Sequence, residues 1–223
     1  MRWLVPLAAL LALAGCGGLS AEQALVRAQE RTAEIETLRF SVEGSAEGDR
    51  FAGEGAVDNR ARRSQLSLRG GGRATELVLD GSVLYARLPM LGWVSADLER
   101  VGKLLGDGLG ELTGLVEDGP TGVLEQLRAV GDVEELGREQ VRGVETTRYR
   151  ALLRPPGGTE EDALPVEVWI DDDGLVRRLR VTYGQRAASV TVELFDFGAD
   201  VDVEPPPADQ VTDLDELFGG EGP

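Results

Sequence analysis

Cys16 is the only cysteine of the chain. It ends the segment Leu13-Ala14-Gly15-Cys16, after a short basic start at Met1-Arg2 and an apolar run from Trp3 to Ala12. Small residues followed by a thiol suit one reaction well: the sulfur takes a diacylglyceryl group, and the chain is then cut between Gly15 and Cys16. The apolar run is too short to cross a bilayer, which needs ~20 residues, and fits the core of a secretory signal. Residues 1–15 are therefore read as a lipoprotein signal peptide, Cys16 as the lipidated residue and Gly17-Gly18 as a tether. An ordinary signal peptide with a chance cysteine is the alternative. Two or three acyl chains, such as palmitate, at ~0.8 kcal/mol per buried methylene, anchor a protein stably where one chain is marginal. The expected location is the extracytoplasmic face of the cell membrane.

Most other chemistry is excluded by composition. The 223 residues contain no histidine, which removes a Ser-His-Asp triad, a His-ligated zinc and an imidazole proton shuttle. A single cysteine removes disulfides, a CxxC pair and a cysteine metal cluster. With 40 acidic against 23 basic side chains the formal charge is −17, the wrong sign for a nucleic-acid partner. There is no G-x-S-x-G elbow, no phosphate-binding P-loop and no dinucleotide fingerprint. Gly70-Gly71-Gly72 forms a tight turn without the helix a phosphate cradle uses. Asp171-Asp172-Asp173-Gly174 offers oxygen ligands for calcium, but it lacks the spacing and the distal Glu of a calcium loop and is read as a hairpin turn. Paired carboxylates for glycoside chemistry remain open in so acidic a chain, but three Trp offer few sugar platforms. No enzymatic activity, metal or cofactor is expected.

The elements that follow carry a switch in period. Ser20 opens a helix with Gln23 at capping-box spacing, and Ala24, Leu25, Ala28, Thr32 and Ile35 recur at helical intervals through Thr37. From Leu38 to Glu47 the period becomes two, with Phe40, Val42 and Ala46 on one side. Strands are expected near 50–58, 61–69, 73–80, 83–88 and 92–95, separated by turn residues as in an antiparallel meander. They resume near 132–139, 143–153, 164–170, 175–183 and 189–197. In the strand 175–183, Leu175, Leu179, Val181 and Tyr183 alternate with Val176, Arg178, Arg180 and Thr182, and Arg177 intrudes on the apolar side. Pro205-Pro206-Pro207 is expected to end the sheet, with one helical turn between Asp213 and Phe218. No linker divides the mature chain, so residues 16–223 are expected to form one domain, with a tail over 205–223.

Between the two runs of strands lies a different segment. Residues 97–130 read as two or three short helices, with apolar stripes at Leu98/Val101/Leu104/Leu105, Leu112/Leu115/Val116 and Val123/Leu124/Leu127/Val130. Gly102, Gly106, Gly108, Gly110, Gly114, Gly119 and Gly122 punctuate it. Such short helices must lean on something. Either they fill an ordinary core, or they close over the sheet as a movable lid and leave an apolar hollow that stays dry and accepts apolar ligands.

The signal with Cys16, the single helix, the strand meander and the helical insert come with recurrent segments. These are Pro165-Val166-Glu167-Val168-Trp169-Ile170-Asp171 with Gly174-Leu175-Val176-Arg177-Arg178, Gly143-Val144-Glu145-Thr146-Thr147-Arg148-Tyr149, and Phe195-Asp196-Phe197-Gly198 with Val201-Asp202-Val203 and Pro206-Pro207-Ala208. Together they resemble the LppX/LprG-type actinobacterial lipoproteins, over nearly the whole mature chain and most firmly over 132–212. The resemblance implies an α+β fold of LolA/LolB type: a half-barrel, a curved antiparallel sheet of about 11 strands wrapped around a few helices. It implies a hydrophobic cavity that takes acylated lipid or glycolipid for transport across the envelope, with no catalytic residues.

The expected cavity lining is Leu104, Leu105, Leu109, Leu112, Leu115, Val116, Leu124 and Leu127 from the lid, with Leu77, Leu79, Leu84 and Trp93 from the sheet. The expected partners are an acylated lipid or glycolipid and the membrane, through Cys16. Envelope transport proteins are further candidates, and a monomer is expected. Arg60, Arg62 and Arg63 form the cluster expected to meet anionic head groups. The competing expectation is an envelope sensor or protein-interaction module with a collapsed cavity.

Overall fold

The computed structural model describes residues 19–46, 49–98, 100–101, 133–153, 163–183 and 188–217. The proposed signal peptide, Cys16, the loop 155–162 and every lid residue from Leu104 to Leu127 lie outside these residues.

Helix α1 spans Ala21–Ala33 and begins with a complete capping box. Gln23 N donates to Ser20 Oγ at 3.2 Å, and Ser20 N donates to Gln23 Oε1 at 3.0 Å, so two orphan donors of the first turn are satisfied. Leu25, Ala28 and Thr32, three or four residues apart, form its buried stripe.

Twelve strands make one open sheet, among the described residues. In chain order they are β1 (Thr37–Ala46), β2 (Asp49–Asp58), β3 (Arg63–Gly70), β4 (Arg73–Asp80), β5 (Val83–Leu88), β6 (Gly92–Asp97), β7 (Glu134–Val141), β8 (Val144–Leu153), β9 (Leu164–Asp171), β10 (Val176–Tyr183), β11 (Ala188–Phe195) and β12 (Val211–Asp213). The spatial order is β12-β6-β5-β4-β3-β2-β1-β11-β10-β9-β8-β7. β1 and β11 are neighbours, so two meanders join at the middle of the sheet. The sheet is large, curved and unclosed, with β7 and β12 as its edges.

Turn chemistry sets the registers. Arg142 and Gly143 both have positive φ (50° and 79°) and connect Val141 to its partner Val144, the primed two-residue turn whose twist matches a hairpin. At Gly55 the requirement is space. A Cβ there would lie 2.2 Å from Gln65 O and 2.5 Å from Phe40 Cζ, so only glycine lets the Phe40 ring lie across β2.

Several details differ from the pattern read in the sequence, the first being that α1 ends at Ala33, so Ile35 lies beyond it and Thr37 opens β1. Val176 is fully buried with Leu179 and Val181, because a bulge between Val176 and Arg178 adds a residue and returns both sides of Arg177 to the core. The triple proline does not end the sheet. It carries the chain to a 3-10 turn at Ala208–Gln210, after which β12 joins the free edge of β6. That pairing is parallel, the one departure from an antiparallel sheet among the described residues, because the tail crosses the sheet instead of doubling back. Helix α2 (Leu214–Leu217) follows at once, where one helical turn was expected.

The main core lies on the face that carries α1. Leu25 and Ala28 pack there with Leu38, Phe40, Val57, Val166, Val168, Ile170, Val176, Leu179 and Leu194. Thr32 Oγ1, fully buried, accepts a 3.0 Å bond from Val176 N and seats the helix on β10. This face is called inner and the opposite one outer.

Candidate functional site

Alternation along each strand, combined with register across them, assembles an apolar band on the inner face. Leu194, Phe40, Gly55, Leu66, Leu77, Ala86 and Val94 are successive partners across seven strands, from β11 to β6. A second row runs beside it: Tyr149, Val168, Leu179, Val192, Val42, Gly53, Leu68 and Thr75. No ionisable carboxylate, guanidinium or amine interrupts either row. Beneath α1 the rows are buried, whereas towards β3, β4 and β5 Leu66, Leu68, Leu77, Leu84 and Leu88 are only half-buried. The inner face is thus a closed core at one side and an accessible apolar wall at the other.

Three of the four strand residues expected to line a cavity point to the inner face, Leu77 and Leu84 half-buried on the wall and Leu79 buried between them. Leu77 partners Ala86, and Leu79 partners Leu84. Trp93 does not join them. It partners Arg87 and packs on the outer face with Val78, Tyr85, Ala56 and Val203. An odd offset from Val94 decides this, because neighbouring residues of a strand point to opposite faces. The eight lid residues lie outside the described residues. Leu66, Leu68 and Leu88 belong to the wall and were not singled out from the sequence. The alternation in Gln65-Leu66-Ser67-Leu68-Arg69 was the available signal.

The outer face is built differently. Between β11, β1, β2 and β3 it carries an open groove of about 600 Å³ lined by polar and small residues, among them Ser41, Glu54, Gln65, Arg69 and Thr191. Over β7 to β11 it is covered by paired charges. Trp169, 2% exposed, lies here, with the guanidinium carbons of Arg148 and Arg178 each 5.1 Å from its ring centre. Its indole Nε1 donates to Glu139 Oε2 at 3.0 Å. Arg148 bonds Glu167 at 2.6 Å, and Arg178 bonds Glu193 at 2.7 Å. Arg142 reaches the same Glu193 at 2.8 Å and sits 3.8 Å above the Phe195 ring centre. Burial alone would raise the Glu193 pKa. The hydrogen bonds from Arg178 and Arg142, with their charges, outweigh it and hold the carboxyl below the ordinary carboxylate value.

The two other sequence clusters are structural. Asp171, 6% exposed, accepts from Leu175 N at 2.8 Å and from Arg177 Nε at 2.6 Å, while Gly174 takes a φ of 77°. Asp172 pairs with Arg138. Two carboxylates of the run are therefore committed to arginines, as a hairpin requires. Arg60 and Arg63 are not free for head groups either: Arg60 pairs with Glu36 and Asp58 at 3.5 Å, and Arg63 with Asp80 at 3.0 Å. The turn from β2 to β3 places them beside the acids that end β2 and β4. Arg62 has no ion pair among the described residues and instead holds the turn through a φ of 55°.

Among known proteins the fold recurs in two mycobacterial crystal structures. LprF of Mycobacterium bovis superposes with a TM-score of 0.59 at 17% identity, over 84% of this chain and 97% of that one. The lipoprotein LppX of Mycobacterium tuberculosis superposes with a TM-score of 0.60 at 15% identity, over 82% and 98%. The resemblance read from the sequence is thus matched by the fold. In sequence, the candidate lipoprotein SCO4650 of Streptomyces coelicolor is 31% identical over 134 residues, 58% of this chain. The match spans 44% of that protein's length, less than half. No family model matches the chain.

Proposed function

We propose that this protein is a lipid-anchored envelope lipoprotein that holds the acyl chains of a lipid or glycolipid against the inner face of a LolA-type half-barrel. The observation that carries the reading is the unbroken apolar row from Leu194 to Val94, half-buried at Leu66 and Leu77. Leu77, Leu79 and Leu84 form the fixed wall, and Leu104, Leu105, Leu109, Leu112, Leu115, Val116, Leu124 and Leu127 supply the opposing one. Cys16 carries the anchor that keeps the protein at the extracytoplasmic surface. The fold shared with LppX and LprF supports this assignment.

The mechanism is passive binding without bond chemistry. Moving a methylene from bilayer to an apolar wall is nearly neutral, since both surroundings exclude water. Acyl chains therefore exchange without a large barrier from affinity, and selectivity resides in the shape of the wall and the polar contacts at its rim.

Native mass spectrometry of the untagged protein purified from its own membrane tests the reading. A bound species with the mass of a diacylated or multi-acylated lipid is expected, together with uptake of a fluorescent fatty-acyl probe. A chain of clean mass that takes up no probe overturns carriage and leaves the interaction-module reading.

A further inference from the structure

The largest exposed apolar side chains among the described residues include two consecutive ones. Met90 is 104% exposed and Leu91 53% exposed, at the turn Pro89-Met90-Leu91 between β5 and β6. Met90 also has a φ of 72°, in the left-handed region where glycine or asparagine would serve the turn with less strain. Neither side chain is needed by the core, so the fold does not account for them.

The surroundings of this tip are basic. The turn between β3 and β4 lies at the same end of the sheet, flanked by Arg69 and Arg73, and the start of β2 brings Arg50 level with it. All three arginines are exposed, and none has an ion pair among the described residues, although the whole chain is strongly acidic. Beside them stand Asp49 and Glu76, with Glu43 and Glu54 in the outer groove that Arg69 also lines, and Glu76 is occupied by Arg87 at 3.1 Å. At the opposite end Arg60 and Arg63 are neutralised. Among the described residues of this half of the sheet, three of the four arginines without an ion pair therefore gather around the apolar tip, and the fourth, Arg62, lies in the turn at the opposite end. The same end carries the open side of the inner wall at Leu68 and Leu88.

We propose that the β5–β6 tip docks on an anionic lipid bilayer, with Met90 and Leu91 immersed at the acyl boundary and Arg50, Arg69 and Arg73 on the head groups. A protein partner fits the surface less well: a stable protein interface buries on the order of 1,600 Å², whereas two side chains flanked by unpaired cations suit interfacial insertion. Docking in this pose turns the accessible end of the inner wall towards the membrane. The inference goes beyond acyl carriage and does not need it, because it concerns where the tip lies and not what the wall holds.

The test uses the full chain reconstituted into vesicles of phosphatidylcholine, with or without about 30% phosphatidylglycerol, containing lipids brominated on their acyl chains. Leu91→Trp reports the tip and Ala61→Trp, in the turn at the opposite end, reports the control, each read above the wild-type tryptophan background. In anionic vesicles the Leu91→Trp signal is expected to shift to the blue and to lose at least about half its intensity to bromine quenching, while Ala61→Trp does neither. Adding Arg50→Glu, Arg69→Glu and Arg73→Glu to Leu91→Trp is expected to abolish the quenching. No quenching at position 91, equal quenching at 61 and 91, or quenching indifferent to the three charge reversals overturns the proposal. Since acyl uptake is not the readout, carriage and docking fail separately.

Discussion

Leu77 and Trp93 stand on opposite faces of the sheet. Leu77 is joined through Ala86 to Val94 in the inner row, and Trp93 is the immediate neighbour of Val94 and opposes Arg87. Leu77 therefore belongs to the apolar wall, whereas Trp93 supports the C-terminal tail through Val203.

Substitution at the two sites should have different consequences. Leu77→Glu places a carboxylate on the wall and is expected to reduce acyl-probe binding at least ~10-fold, because the charge must be desolvated by the bound chain. Trp93→Ala is expected to leave probe binding within about twofold and to cost about 2–3 kcal/mol of stability, less than a fully buried Trp because it is half-buried. Probe titration and urea unfolding separate the two. Equal loss of binding in both variants would mean that the two faces do not divide these roles.

Gly55→Ala tests the close packing of β2 under Phe40. The added methyl would meet Gln65 O at 2.2 Å and the Phe40 ring at 2.5 Å, so either the strand or the ring must move. A loss of about 1–3 kcal/mol is expected by thermal or urea denaturation. Loss of stability within a few tenths of a kcal/mol would show that β2 gives way freely.

Glu193 should make stability depend on pH in the acid range. Its folded pKa is below the ordinary value, so the folded state binds fewer protons than the unfolded one. The contribution is complete above the ordinary carboxylate range and is lost as pH falls through the lowered pKa. Glu193→Gln is expected to cost about 1–2 kcal/mol near neutrality, discounted for the solvent the group still meets, and almost nothing in strong acid. Urea unfolding of both proteins across the acid range measures the convergence. A constant difference would remove the ionic basis.

Asp171 should behave as a turn residue and not as a ligand. Asp171→Ala leaves Leu175 N and the largely buried Arg177 guanidinium without their acceptor, at a cost of about 3 kcal/mol. Calcium is expected to leave the melting temperature of the wild-type protein unchanged. A calcium-dependent rise in calorimetry would reverse the assignment.

The strands were legible because their signal is local. Alternation in Phe40-Ser41-Val42 or Val190-Thr191-Val192 records one wet and one dry side, and turn residues such as Asp80-Gly81 mark where pairs reverse, whereas the turn at Arg142-Gly143 falls where the strand 143–153 was expected to begin. The capping box at Ser20 and Gln23 is equally local, and α1 starts there. The bulge at Arg177 was visible only as a break in alternation, and its direction depended on Val176 meeting Thr32 of α1.

By itself the sequence determined that the chain builds paired, half-buried strands with a helix ahead of them, because periodicity and turn chemistry act over a few neighbouring residues. Tertiary structure decided which apolar residues share a face: Leu77 joins Phe40, and Trp93 does not. It decided too that the tail passes three prolines to pair with β6, and that Arg60 and Arg63 are neutralised while Arg50, Arg69 and Arg73 stay free of ion pairs among the described residues. The reason is that register between distant strands adds or removes an odd residue offset, and one such offset reverses a face without changing the local pattern.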